Sequence, residues 1–204
     1  NVHVTGYFEG TVDFGAGDVT SSGSYDVFVT KHNAAGVHQW TNTFGGTGND
    51  IGRGVGVDGS GNVYTSGYFV GTVDFGAGNV TSSGSYDVFV TKLNAAGVHQ
   101  WTNTFGSTYS VIGWSVAVDG SGNVHVTGRF RGTSDFGAGN VSAGGSFNVF
   151  VTKLNSSGAH QWTTAFSSTS ASRGQSVAVD GSGNVYTSGY FVGTVDFGAG
   201  DVTS

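Results

Sequence analysis

Apolar and polar positions recur along this chain with a fixed spacing. Near-identical stretches open at Asn1, Asn62, Asn123 and Asn184, 61 residues apart. Each full copy carries four apolar segments bounded by Gly, Asn, Asp or Ser. In the second copy these are NVYTSGYFVGTVDFG, YDVFVTKLN, VHQWTNTFG and, leading into the third, GWSVAVDG. Their length and their β-branched and aromatic content predict strands. No stretch has a 3.6-residue apolar period, so no helix is expected. DVFVTKL (Asp87 to Leu93) opens on a continuous apolar run and should be buried on both faces. In SVAVD, Val116 and Val118 alternate with the small Ser115 and Ala117, which are Gly54 and Gly56 one copy earlier. Small side chains suit an innermost strand where neighbouring units converge. HQWTNTF puts His99, Trp101, Asn103 and Phe105 on one face of a peripheral strand.

The links between segments complete the picture. DGSGN (Asp58 to Asn62, again at Asp119 and Asp180) is a glycine-rich hairpin turn, and NAAG or NSSG joins the third and fourth segments in the same way. Four antiparallel strands in a tandem unit predict an all-β, β-propeller-type array of four-stranded blades. A solenoid is the alternative architecture. The repeats run over residues 1–61, 62–122 and 123–183, with a partial fourth at 184–204, and the order begins at the second strand of a blade. Strand direction alternates, so the variable blade-to-blade loop and the long VDFGAGNVTSSGSYD loop should emerge at one end. The uniform turns should emerge at the other. The second strand alternates between HVT (His3, His125) and YTS (Tyr64, Tyr186). Either the structural unit is a pair of repeats, or recent duplication produced the alternation.

Composition narrows the class. The chain of 204 residues has 38 glycines and no proline, cysteine or methionine. Glycine without proline or a G-X-Y period excludes collagen, and 37% hydrophobic with 13% aromatic residues is too rich for a disordered segment. Zero cysteine removes disulfides and thiolate metal sites. A formal charge of −6 with seven Lys and Arg argues against a nucleic-acid partner and against anionic membrane surfaces, and no apolar run approaches the length needed for membrane insertion. The chain lacks an initial Met and reads as a mature or excised portion of something longer.

SVAVDGSGNVYTSGYF, YDVFVTKLNAAGVHQW and the FG that follows resemble the bacterial seven-bladed β-propeller (SBBP) repeat family, and are more distantly similar to NHL-type repeats. The resemblance covers the whole chain and is most specific in VAVDGSGNVY and DVFVTKLN. FGGTGNDIGRGVGVD follows the family pattern. FGSTYSVIGWSVAVD and FSSTSASRGQSVAVD depart from it. The resemblance implies a secreted bacterial protein at the cell surface or outside the cell, in a ring of about seven blades. It brings no catalytic residues.

Candidate chemistry is sparse. GVGVDG (Gly54 to Gly59) matches G-x-G-x-x-G, but lies in a strand entering a hairpin rather than before a helix. Asp58, Ser60 and Asn62 offer oxygens at alternating positions, a weak calcium alternative to turn capping at the DGSGN sites. Otherwise no cofactor or metal is expected. Asp74 in VDFGAG reads as a loop-capping carboxylate. His38, His99 and His160 each stand alone beside a Trp and read as satisfied strand histidines. No nucleophile elbow or recurrent carboxylate pair suggests an enzyme. Sequons begin at Asn79, Asn140 and Asn155.

The copies differ most after WTNTF. Asn49, Asp50 and Arg53 give way to Ser110, Val111 and Trp114, then to Ala171, Ser172 and Arg173. Glu9, Val70, Arg131 and Val192 also differ. Asn49, Asp50, Arg53, Tyr109, Trp114, Arg129, Arg131 and Arg173 are therefore the candidate contacts on a variable loop face. Two functional expectations follow. One is a non-enzymatic structural or adhesive array, completed or extended into a filament by self-association or by further repeats of the chain. The other is a module binding a surface glycan or a protein.

Overall fold

The computed structural model describes residues 1–144 and 146–204. Its described residues form strands and turns without a helix, and the strands fall into blades. The first blade pairs β1 (Val2–Phe8) with β4 (Asp26–His32) and β5 (His38–Phe44). The second is the antiparallel order β6 (Ile51–Val57), β7 (Val63–Phe69), β10 (Asp87–Leu93), β11 (His99–Phe105). The third repeats it as β12 (Val111–Val118), β13 (Val124–Phe130), β16 (Asn148–Leu154), β17 (His160–Phe166). The fourth holds β18 (Ser172–Val179) and β19 (Val185–Phe191). β1 is thus the second strand of its blade, and the architecture is a propeller-type array.

VDFGAGNVTSSGSYD is not only a loop. It folds into a small hairpin, β8 (Thr72–Asp74) with β9 (Asn79–Thr81). β2 (Thr11–Asp13) pairs likewise with β3 (Asp18–Thr20), β14 (Thr133–Asp135) with β15 (Asn140–Ser142), and β20 (Thr194–Asp196) with β21 (Asp201–Thr203). Asp74 Oδ1 accepts the N–H groups of Gly76 and Gly78 at 2.7 and 3.0 Å. Both glycines sit at φ near 100°, where a side chain would be strained. The strands are too short and polar for the apolar pattern to reveal them.

The hairpin also delivers a core residue. Phe75 is 1% exposed and packs on Phe44 of the previous blade and on Phe69 and Phe89 of its own. Phe136 repeats this with Phe105, Phe130 and Phe150. Each hydrophobic core consequently lies between two blades. One joins Val27, Val29 and Phe44 to Val63, Phe69 and Phe89. The other joins Val88, Val90 and Phe105 to Val111, Val126 and Phe150. β10 is buried along almost its whole length, as its continuous apolar run predicts.

β6, β12 and β18 are the innermost strands. A Cβ on Gly54 would stand 2.9 Å from the Val116 nitrogen and 3.1 Å from the Ser115 Cα. Even a methyl group there would crowd the neighbouring backbone, so this position takes glycine. Each inner strand also bulges against its partner, between Gly52 and Gly54, Gly113 and Ser115, and Gly174 and Ser176. The bulge draws the inner strand across the second strand. A Cβ on Gly67 would collide with the Ile51 carbonyl oxygen, and one on Gly128 with that of Ile112. This explains the invariant glycine of the repeated TSG and VTG.

At the other end of the blades a donor set crosses to the next unit. Lys31 Nζ and Trp40 Nε1 donate to the Ala95 carbonyl at 2.8 and 3.2 Å, and Asn42 Nδ2 to that of Gly97 at 2.9 Å. Lys92, Trp101 and Asn103 do the same to Ser156 and Gly158. The acceptors are the main chain of the NAAG and NSSG turns.

Gly67→Ala should lower stability by about 2–4 kcal/mol, because the obstacle is backbone. Urea unfolding measures it. Gly59→Ala, where a Cβ meets nothing within 4 Å, should shift the midpoint far less.

Candidate functional site

Strand register separates two ends. Val57, Val63, Leu93 and His99 align at the end carrying the uniform turns, and Ile51, Tyr68, Val88 and Phe105 toward the end carrying the hairpins and variable loops. The cations divide between them. Lys31, Lys92 and Lys153 pair with residues near the uniform turns. Arg53, Arg129, Arg131 and Arg173 all lie toward the variable end.

Three of the predicted residues are gathered by the bulges and the convergence of the inner strands. Arg53 and Trp114 occupy the equivalent bulge positions of β6 and β12. The bulge residue of β18 is Gln175, and Arg173 instead matches Ile51 and Ile112, so its alignment with Arg53 by sequence is corrected. Even so, the Arg53 guanidinium carbon lies 4.5 Å from the Trp114 ring centroid and that of Arg173 4.1 Å. One guanidinium reaches the indole from each flanking inner strand. Tyr68 and Tyr190 bracket the set, 5.6 Å from Arg53 and 5.5 Å from Arg173. Arg53 also donates to the Tyr68 hydroxyl at 3.2 Å. Such cation–π contacts contribute about 0.5–2 kcal/mol each.

Arg129 belongs to the same region. It takes the place of Tyr7, Tyr68 and Tyr190 on the second strand. Tyr7 and Tyr68 meet Tyr25 and Tyr86 edge-on, whereas Arg129 stacks on Phe147 at 4.2 Å. Burial pushes its guanidinium below the ordinary value. The charge of Arg173 adds to the shift, while Tyr68 and Tyr190 act the other way. Arg131 and Tyr109 form a separate pair 4.9 Å apart, with Tyr109 49% exposed. Comparing copies with one another missed Tyr68 and Tyr190, because tyrosine is shared by most copies. The Tyr-to-Arg exchange at residue 129 was the available signal.

Asn49 is half-buried, as Trp114 and Arg173 are, and its main chain bridges to Tyr25. Its neighbour does not belong to a contact surface of this kind. Asp50 is 0% exposed. Its carboxylate accepts the Gly46 N–H at 2.8 Å and the Val70 N–H at 3.2 Å, tying the variable loop to the strand end. As a contact residue it is a correction: the loop closes over it. Burial raises its pKa to about 6 against the lowering effect of the two N–H groups, with a further upward push from Asp26.

At the uniform end, Asp58 is surrounded by donors. Ser60 N, Asn62 N, Asn62 Nδ2 and Tyr64 Oη all reach its oxygens at 2.7–3.0 Å. In the next copy, His125 Nε2 and Lys153 Nζ stand 3.6 and 3.7 Å from Asp119 Oδ2. Burial opposes ionisation of Asp119, yet hydrogen bonds from Asn123 and Ser121, with the His125 imidazole close by, bring its pKa down to about 2. Tyrosine and histidine thus serve one position, facing the same turn carboxylate, and the HVT/YTS alternation leaves the strand pairing unchanged. His38, His99 and His160 each hydrogen-bond through Nε2 to a Thr hydroxyl at 2.9 Å. They are satisfied strand histidines.

No family model matches the chain. It is 30% identical over 146 residues to an uncharacterized WD repeat-containing protein of Acanthamoeba polyphaga mimivirus, covering 63% of this chain and 10% of the relative. The chain therefore spans about a tenth of the length of that relative. The match agrees with a propeller-type repeat fold and does not extend to the SBBP family specifically.

Asp50 yields a prediction with a definite sign. Its folded pKa lies above the unfolded value, so its contribution is full below about pH 4 and is lost as pH rises through 6. Relative to Asp50→Asn, the wild type should lose about 1–3 kcal/mol between pH 4 and 7. Urea midpoints across that range measure the slope. Any fixed offset from the asparagine is independent of pH.

Proposed function

We propose that the chain is a non-enzymatic, propeller-type interaction module of an extracellular structural or adhesive protein, docking its partner on the variable loop face. The observation that carries this reading is the segregation of all four arginines, with Trp114, Tyr68, Tyr109 and Tyr190, to one end of the blades. Tyr, Trp and Arg dominate binding hot spots, since each offers large contact area and a polar handle. They stand here on a rigid scaffold whose opposite end is uniform. The partner is a protein or a surface glycan. The bacterial cell-surface setting rests on the resemblance to SBBP repeats.

A second reading, self-association into a longer array, has its own observation. Successive junctions are equivalent: Phe75 packs on Phe44 and Phe89 as Phe136 packs on Phe105 and Phe150. A strand of the β10 type from one unit therefore fits the hairpin phenylalanine of any other, and another copy can supply it.

Each reading has its measurement. Trp114→Ala and Tyr109→Ala should each cut retention on a ligand found by peptide and glycan array by at least about tenfold, with circular dichroism unchanged. Lys153→Gln, at the opposite end, should leave retention intact. Equal retention by all variants would remove the docking face. For the array, light scattering and electron microscopy should show mass growing with concentration, suppressed by a peptide of residues 84–105. Monodisperse particles at every concentration would remove it.

A further inference from the structure

The arginine–tryptophan cluster has an electrostatic oddity. The chain carries 13 acidic residues against seven basic ones, yet none of the acids neutralises the cluster. The ion pairs among the described residues all involve Asp119 at the other end. Arg53 and Arg173 thus bring like charges together on one indole, and the half-buried Arg129 is near enough to Arg173 to feel its charge. Such an arrangement costs free energy unless an anion completes it.

Hydrogen bonding points the same way. Trp114 Nε1, Arg129 Nε and Arg173 Nε are enclosed and have no acceptor. Enclosed donors without partners are unusual in folded proteins and destabilise the fold. The outer guanidinium nitrogens of Arg129 and Arg173 are not enclosed in this way, and no acceptor holds them among the described residues. Tyr68 accepts from Arg53, which leaves its own hydroxyl proton to donate. The cluster is therefore rich in donors, and what it lacks is an oxygen acceptor with negative charge.

We propose that Arg53, Trp114, Arg129 and Arg173, with Tyr68 and Tyr190, form a receptor for the carboxylates of an acidic peptide segment. This rests on the docking-face reading above and specifies its ligand chemistry. Planar guanidiniums bind a carboxylate through two parallel hydrogen bonds. With both guanidiniums stacked on it, the indole is not free to stack a sugar ring, so charge rather than ring shape is read. A long polyanion fits poorly, because the protein's net charge is −6 and the lysines lie at the far end of the blades. A short acidic segment feels mainly the charges within about 10 Å, the screening length at ordinary salt.

The test is fluorescence anisotropy with labelled hexaglutamate, hexalysine and a sulfated heparin hexasaccharide, using the whole chain. Hexaglutamate should bind and hexalysine should not. Arg53→Gln and Arg173→Gln should each weaken hexaglutamate about fivefold or more, and raising salt should weaken the wild type. Lys153→Gln should change it less than about twofold. Urea midpoints identify any variant that fails to fold, and Arg129→Lys, which keeps the charge but loses the fork, should bind at an intermediate level. Absence of hexaglutamate binding, or binding indifferent to the arginine substitutions, overturns the proposal. If the hexasaccharide alone binds with the same arginine dependence, the docking face stands and the peptide assignment falls. If no ligand responds to the substitutions, both fall.

Discussion

The structure depends on the close approach of one blade to the next. No blade encloses a core of its own. Val27, Val29 and Phe44 are covered by Val63, Phe69 and Phe75 of the following unit, and Val88, Val90 and Phe105 by the unit after that. The approach is tight at the inner strands, where Gly54 faces the backbone of Ser115 and Val116. A large side chain there would hold the blades apart and open both cores. Stability in such an assembly is largely a sum of neighbour contacts.

The functional surface follows from the same geometry. Inner strands that nearly touch bring their bulge residues together, and a bulge re-aims the side chain it carries. Arg53 and Trp114 are therefore neighbours in space while 61 positions apart in sequence. Copies of one unit put unlike side chains at one repeated location, so that a composite site is written across blades rather than within one. Arg173 joins it from a different position of its own strand, reaching the indole from the fourth blade. The uniform end contributes nothing comparable: its carboxylates are consumed by the donors of their own turns.

Much of the fold was legible because its determinants are local. The continuous apolar run of DVFVTKL and the Gly and Ala alternation of the inner strand each point to one place in a blade. The β8–β9 hairpin was not legible, since Asp74 and two glycines at positive φ define it rather than apolar alternation. Differences among copies pointed to Arg53, Trp114 and Arg129, but could not tell an outward residue from a buried one. Asp50 differs between copies because one loop is pinned by a carboxylate while Val111 and Ser172 occupy the same position elsewhere. The offset of Arg173 was legible, because the 61-residue spacing puts Gln175 and not Arg173 at the position of Arg53 and Trp114. Tyr68 and Tyr190 escaped notice, being shared by most copies.

The donors that cross between blades end on backbone carbonyls, those of Ala95 and Gly97 in one case and Ser156 and Gly158 in the next. A blade therefore recognises the main-chain path of its neighbour's turn, with a glycine (Gly97 or Gly158) that leaves room for the Trp and Asn, and accepts Ala or Ser between. NAAG and NSSG are equally good acceptors. Any unit can follow any other without a new interface having to evolve. Gain or loss of a whole repeat by misaligned recombination would then preserve a fitted junction. The gene can lengthen or shorten in steps of one blade while the variable end changes independently.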